Sequence, residues 1–297
     1  MVEIRIPATS ANLGSGFDSI GLALNLHNTV GLEEADRLTI RSLDGVPIPL
    51  DEHSLVYRAA CRLYDVCGRR VDGFAIEQRS RIPMARGLGS SSACIVGGLM
   101  GANELLGRPL DRAALVDLAT EIEGHPDNVA PALLGGFVAS AVEAGRVYTV
   151  RRTLPEGKLA FAVMIPDFPL RTAEARAVLP EQVSHADAIY NLSRTSLLTA
   201  ALLEGRYELL AVAMGDRLHQ PYRLPLIDHA ESWFAAAKEA GAYASAISGA
   251  GSSLLSVLPA SRAEAFRPQA EGWLRQNRLD GWRFQLFGID NEGASVV

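Results

Sequence analysis

Four short stretches of this 297-residue chain crowd side chains that could do chemistry. Gly87-Leu88-Gly89-Ser90-Ser91-Ser92 is a run of small residues feeding an apolar segment of helical character. A helix start presents unpaired backbone N–H groups and the positive end of the helix dipole. Glycine lets a phosphate approach that backbone, and serine hydroxyls can donate to phosphate oxygens or hold a hard cation. The stretch reads as a polyphosphate cradle. It lacks the Lys of a P-loop, and it fails as a dinucleotide fingerprint because Ser92 stands at the third glycine position and no strand leads directly into it. The second stretch, PATSANLGSGFD from Pro7 to Asp18, offers Asn12 and Asp18 on a Gly-rich loop. The third, EIEGHPDN from Glu121 to Asn128, packs carboxylates, an imidazole and an amide into one turn. The fourth, SGAGSS from Ser248 to Ser253, is a Gly-rich link between two strand patterns. Each alone also fits a structural role: a capped helix, a polar loop, a solvated helix end, a tight hairpin turn.

The elements that must position these stretches follow from periodicity. Residues 2–6 alternate as a half-buried strand, with Pro7 ending it. Ser54 caps a helix to about 66, stopped by Gly68, and residues 74–78 read as a strand. The helix at 91–106 is apolar nearly all round and should be buried. Its Gly97, Gly98 and Gly101 imply close packing against another backbone. Asp111 caps a helix to about Glu123, followed by a turn, a short helix and a strand. Residues 158–165 form a clear strand. Helices follow from 172, over 186–203, 207–214 and 228–240, then strands at 244–247 and 254–258, a helix over 261–276 and a strand at 283–288. Strands and helices without regular βαβ alternation favour an α+β fold. The Pro155–Gly157 turn divides the chain into domains 1–154 and 155–297.

Composition narrows the partners. Nearly half the residues are apolar and the formal net charge is −6. An acidic balance argues against nucleic acid or an anionic membrane as partner, though not against a local basic pocket for a small anion. Cys61, Cys67 and Cys94 make an odd count with no CxxC pair, which suits reduced thiols acting as small buried hydrophobes. No Cys/His cluster has zinc spacing. No apolar signal core opens the chain and no apolar run reaches membrane-spanning length, so a cytoplasmic protein is expected.

Together the four stretches resemble the superfamily of galactokinase, homoserine kinase, mevalonate kinase and phosphomevalonate kinase, the GHMP kinases. That pattern has an N-terminal substrate motif, a PxxxGLGSSA-type ATP loop and a C-terminal Gly-rich motif, seen here as PATSANLGSGFDSIG, IPMARGLGSSSA and ISGAGSS. Within it, PATSANLG, EGHPDNVAP and LHQPYR at Leu218 to Arg223 are similar to the homoserine kinase family, as is the segment from Pro166 through Thr172 to Arg176. The resemblance runs from residue 4 to beyond 251. Ser15 and Ser252 stand where that family usually has proline, which touches loop rigidity more than chemistry.

The resemblance implies a two-domain GHMP kinase fold. Its N-terminal domain resembles the second domain of ribosomal protein S5, with an unusual left-handed βαβ crossover, and its C-terminal domain is ferredoxin-like. It implies transfer of the γ-phosphoryl of ATP to L-homoserine with Mg²⁺, on the route to threonine. The ATP loop would comprise Pro83, Met84, Ala85, Arg86, Gly87, Leu88, Gly89, Ser90, Ser91, Ser92 and Ala93. Ser91 and Glu121 would hold Mg²⁺, with Glu121 preferred to Glu123. Arg176 and Arg223 would take the substrate carboxylate, Asp18 and Asn12 its amino group, with Thr172 and Gly249 beside them. His125 and Asn128 would lie near the reacting hydroxyl, so that Asn128, His125 and Arg176 are the catalytic candidates. Related mevalonate kinases carry an aspartate where this chain aligns Asn128. An amide takes no proton at neutral pH, which leaves transfer by orientation and electrostatics, with Asp127 or His125 as rival bases. Another hydroxylated acceptor, such as threonine or a mevalonate-type acid, and a catalytically silent metabolite-binding homologue remain the competing readings. A homodimer, common in the family, completes the expectations.

Overall fold

A computed structural model describes residues 1–297. The first half contains β1 (Val2–Ala11), β2 (Ile20–Ala35), β3 (Thr39–Ser42), α1 (Leu55–Val66), β4 (Gly73–Arg79), α2 (Ser90–Leu105), α3 (Arg112–Glu123), α4 (Pro126–Leu134), β5 (Phe137–Glu143) and β6 (Arg146–Arg152). The second contains β7 (Leu159–Ile165), α5 (Thr172–Ala177), α6 (His185–Glu204), α7 (Leu210–Ala213), α8 (Gln220–Arg223), α9 (Ala230–Glu239), β8 (Ala244–Ile247), β9 (Leu254–Pro259), α10 (Ala263–Gln276), β10 (Arg283–Phe287) and β11 (Ser295–Val296). This is a two-domain α+β architecture built on two sheets.

The first sheet runs β11-β1-β2-β4-β3, with β5 pairing β2 and β6 pairing β5. Its pairs are antiparallel except β3–β4, which are parallel and joined through α1. Pro7 does not end the first strand, contrary to expectation. The ladder with β2 shifts register between Pro7 and Ala8 and then continues to Ala11. A residue without an N–H is tolerated where a bulge already interrupts the ladder. That bulge carries the strand on into the Asn12–Asp18 loop, so the strand itself aims that loop.

The second sheet has the order β10-β7-β9-β8, antiparallel throughout, the order of a ferredoxin-like sandwich. Every residue of β7 is buried. Phe161, Val163 and Ile165 face the large core shared with Ile4, Leu22 and Leu198. Ala160, Ala162 and Met164 face a smaller core around Trp233 and Phe266. A strand covered on both faces reads as a continuous apolar run, which is why LAFAVMI is so legible. Because side chains of both sheets enter the large core, the halves form one packed body.

The chain leaves the first sheet at Arg152 and enters the second at Leu159. The span 155–297 nevertheless does not stay in the second unit. Asp290 N–H donates to Ala23 O (3.0 Å), Ala294 N–H donates to Ala132 O (2.8 Å), and Val296 pairs with Ile4 on β1. The last residues return as a strap across the first sheet. No helix is long and apolar enough to cross a membrane. The three cysteines are free and partly buried, and they pack against the large core.

Helix α2 lies under the first sheet with Gly98 against α1, where an added Cβ would come 2.3 Å from Val56 O. The expected close backbone approach is met there. It fixes how deep the start of α2, and so the phosphate-type loop, sits in the molecule.

Candidate active site

A cleft of about 260 Å³ opens where α2, α4, α5, α8 and the β8–β9 link converge. Of the residues expected from sequence, Asn12, Asp18, Ala85, Arg86, Gly87, Gly89, Ser90, Ser91, His125, Asn128, Thr172, Arg176, Arg223 and Gly249 line it. Pro83, Met84, Leu88, Ser92, Ala93 and Glu121 do not. Leu88, Ser92 and Ala93 are fully buried and support the loop from behind, while Met84 is exposed.

The loop reaches α2 through Gly89, whose φ of 72° is left-handed and whose added Cβ would meet Thr9 Oγ1 at 2.0 Å. Gly87, at φ 71°, leaves no room either: a Cβ would lie 2.1 Å from Ser248 O. These close approaches bind the helix start to β1 on one side and to the Gly-rich link on the other. Gly89 offers no side-chain cap, so the first N–H groups of α2 have no partner within the helix. They are free to meet an anion.

The metal candidate moves from Glu121 to Glu123. Ser91 Oγ and Ser92 Oγ both donate to Glu123 Oε1, at 2.7 and 2.9 Å. Glu121 instead takes Arg62 Nε and Nη2 at 3.0 and 2.8 Å on the outer surface. Two residues along a helix is about 200° of rotation, so these side chains must face opposite ways. A carboxylate and two hydroxyls converging beside an anion-ready helix start are a donor set that fits Mg²⁺.

The side of the cleft formed by the Asn12–Asp18 loop, α5 and α8 is a web of charges. Arg176 grips Asp18 with Nη1 and Nη2, at 3.0 and 2.7 Å. Asp18 (φ 55°) and Asn12 (φ 70°) are left-handed residues, a conformation that Asn and Asp tolerate best. Asn12 Oδ1 accepts from Asp18 N–H (3.0 Å) and Asn12 Nδ2 donates to Gly249 O (2.8 Å). Arg223, 1% exposed, donates through Nε to Ala175 O (3.0 Å) and through Nη1 to Gly249 O (3.4 Å). Burial, and then the neighbouring Arg176, draw its pKa down to about 10, so it stays cationic at neutral pH.

His219 sits beneath. Its Nε2 meets Gly14 O at 2.8 Å and its Nδ1 meets Arg223 Nη1 at 3.2 Å. An arginine can only donate, so the assigned tautomer is neutral with the proton on Nε2. Burial lowers its pKa in the same direction.

At the start of α4, His125 Nδ1 and Asp127 Oδ1 are 2.6 Å apart. Burial alone would lower the His125 pKa; the hydrogen bond and charge of Asp127, with Glu123 and Asp18 nearby, outweigh it and raise it. Thr9 Oγ1 donates to Asn128 Oδ1 (2.7 Å), which turns the Asn128 amide nitrogen away as a donor.

Sequence reasoning gave no role to Thr9 or Phe17. The Phe17 ring lies 5.6 Å from Arg176 Cζ and 5.1 Å from Arg223 Cζ and stacks on His219. Both guanidinium groups lie within cation–π range of its ring. One aromatic in an irregular loop has no periodicity to flag it; only its place inside the GFD motif marks it.

Comparison with known proteins places this geometry in context. The GHMP kinase N-terminal domain model matches residues 54–136, and the GHMP kinase C-terminal model matches residues 198–272. The chain is 44% identical over 300 residues to a homoserine kinase of Desulfitobacterium hafniense, covering 100% of both chains. It is 47% identical over 257 residues to a homoserine kinase of Moorella thermoacetica, covering 86% of each. Among solved structures, homoserine kinase from Cytophaga hutchinsonii superposes with a TM-score of 0.87 at 29% identity, covering 100% of this chain and 97% of that one.

Proposed function

Because this chain belongs to the homoserine kinase family of the GHMP kinases, we propose that it transfers the γ-phosphoryl group of ATP to the side-chain hydroxyl of L-homoserine. The products are ADP and O-phospho-L-homoserine, on the route to threonine. The observation that carries the acceptor is Asp18 set beside Arg176 and Arg223 in the same cleft as the free start of α2. A zwitterion needs one anion and one cation at fixed spacing. A mevalonate-type acid has no use for the anion.

On this reading the start of α2 and the Gly87–Ser92 loop hold the triphosphate. Ser91 and Glu123 hold Mg²⁺, which neutralises phosphate charge when bound. Arg223 and Arg176 take the α-carboxylate, the guanidinium fork being suited to it. Asp18 takes the α-ammonium. The hydroxyl then lies near Asn128 and His125. The new O–P bond forms as the bond from the γ-phosphorus to the β–γ bridging oxygen breaks. Asn128 cannot accept the hydroxyl proton, and Asp127 is already committed to His125. On this reading the proton leaves with the transferred phosphoryl oxygens and the chain contributes orientation and charge, with His125, whose Nδ1 is held by Asp127, as the rival base.

The same reading makes the protein a cytoplasmic enzyme. It also favours a homodimer, supported by the exposed apolar stripe Ile189, Leu192 and Leu203 along α6. Light scattering of the purified chain tests that assembly.

The activity test is coupled ADP release with Mg-ATP, comparing L-homoserine, L-threonine, L-serine and mevalonate. Turnover with homoserine well above the rest is expected. Turnover with another acceptor alone would keep the kinase and discard homoserine. ADP release with none of them, despite ATP binding, would identify a silent binding homologue.

A further inference from the structure

Arg86 sits in the middle of the nucleotide loop, yet its guanidinium is spent on backbone carbonyls. Nε donates to Pro166 O (2.9 Å) and Nη2 to Asp167 O (2.7 Å), while Nη1 reaches Met84 O (3.1 Å) and Ala85 O (3.4 Å) of its own loop. These are the only side-chain hydrogen bonds from the loop to the connector that follows β7. No carboxylate forms an ion pair with it. A partly buried cation held by carbonyls alone is a geometric clamp rather than a charge partner.

What it clamps matters. The connector, residues 166–171, leads directly into α5, which carries Thr172 and Arg176, and Arg176 holds Asp18. Backbone and hydroxyl contacts complete the junction. Leu170 N–H donates to Ala85 O (3.1 Å) and Ser253 N–H to Arg86 O (3.1 Å). Ser248 Oγ donates to Gly87 O (2.7 Å), and Ser252 Oγ to Phe168 O (2.8 Å). Ser252 is one of the two serines standing in a proline position, and its hydroxyl ties the Gly-rich link to the connector. Nucleotide loop, connector and Gly-rich link are thus fastened to one another, with Arg86 spanning the first two.

We propose that Arg86 is a positioning residue that couples the two substrate sites, so that ATP and homoserine each bind more tightly when the other is present. This rests on the kinase reading above. Fixing the loop around a polyphosphate fixes the connector through the fork, and with it the start of α5. Linkage makes the effect reciprocal: an amino acid held on Arg176 steadies the loop by the same factor. The planar fork is what permits one side chain to span successive carbonyls, Pro166 and Asp167, while still holding its own loop. Lysine would keep the charge but donate from a single point.

The test is isothermal titration calorimetry on the full chain with two probes, Mg²⁺–adenylyl imidodiphosphate and L-homoserine, each with and without a saturating amount of the other. Wild type, Arg86→Ala and Arg86→Lys are compared. In wild type each probe should tighten by roughly fivefold or more on adding the other. In both variants that factor should fall close to one whatever the nucleotide Kd measured alone, with circular dichroism reporting an intact fold. Coupling retained in either variant, or absent from wild type, overturns the proposal. So does weakened nucleotide binding in Arg86→Ala that Arg86→Lys restores, because Arg86 would then serve phosphate as a charge. Failure of wild type to bind homoserine at all defeats the acceptor reading and the coupling together; failure confined to the coupling leaves that reading standing.

Discussion

Asp18 and Arg176 neutralise each other across 2.7 Å, so an arriving zwitterion exchanges one ion pair for two rather than entering an unbalanced site. Asp18→Asn keeps the shape but leaves Arg176 unanswered and the substrate ammonium without an acceptor. It is expected to lower kcat/KM for homoserine about 100-fold, on the order of 3 kcal/mol, with the KM for ATP little changed. Steady-state kinetics with each substrate varied separately check this. The two glutamates of α3 separate as sharply. Glu123→Gln should raise the Mg²⁺ concentration needed for half-maximal rate about 10- to 100-fold. Glu121→Gln should alter stability by at most ~0.5 kcal/mol and leave the Mg²⁺ titration unmoved. Residue types and motif membership made Asp18, Arg176, Arg223 and Asn128 legible in the sequence. The choice between Glu121 and Glu123 was not, because it depends on where α3 starts its turn relative to α2, and no local pattern encodes that.

Elements carry these side chains, and their close contacts decide how far each can move. Gly21 on β2 faces the first turn of α4, where an added Cβ would lie 1.8 Å from Asp127 O. Gly21→Ala must push away the helix start that holds Asp127 and Asn128. We expect a stability loss of about 1–3 kcal/mol and a disproportionate fall in kcat. Thermal unfolding and turnover measured on the same preparation would show it; unchanged kcat with lowered stability would mean that α4 moves without its catalytic face. The long apolar elements α2 and β7 were readable because burial is written into every position of β7 and most of α2. Strand β6 was not: Arg146-Val-Tyr-Thr-Val-Arg-Arg lies on an edge with only Val147 buried, so its pattern looks like any solvated segment. The continuation of β1 past Pro7 was hidden for another reason, since a bulge makes an exception to proline's usual meaning.

Across the whole molecule, the cleft exists because two sheets share a core and a strap ties the far end of the chain to the first strand. At the root of the strap, Asp290 Oδ2 lies 2.6 Å from His27 Nε2 and Oδ1 accepts the N–H groups of Glu292 and Gly293. Burial alone would raise the pKa of this carboxyl; the His27 hydrogen bond and the two backbone donors outweigh it, and the pKa is lowered. A depressed folded-state value means stability present above the ordinary unfolded value of about 3.9 and lost as pH falls through the folded one. Asp290→Asn should therefore lower stability at pH 7 by about 1–2 kcal/mol. The gap between variant and wild type should close as the pH drops below about 4. Melting curves of both proteins across that range test it; a gap that stays constant would mean the carboxylate charge is not what anchors the strap. His27 looked partnerless in the sequence because its partner lies 263 positions away, a separation no motif spans.

The strap also sets an order of events during synthesis. Gly136 N–H donates to Asp290 O, and Ile4 waits for Val296 as its neighbour on β1. The ribosome must therefore make the whole second sheet before it makes the residues that finish the first. A nascent chain that has emerged only as far as Arg152 exposes the open side of β1 and the groove around Gly135 and Gly136. Its early half thus lacks an edge partner until residues 290–296 have been made.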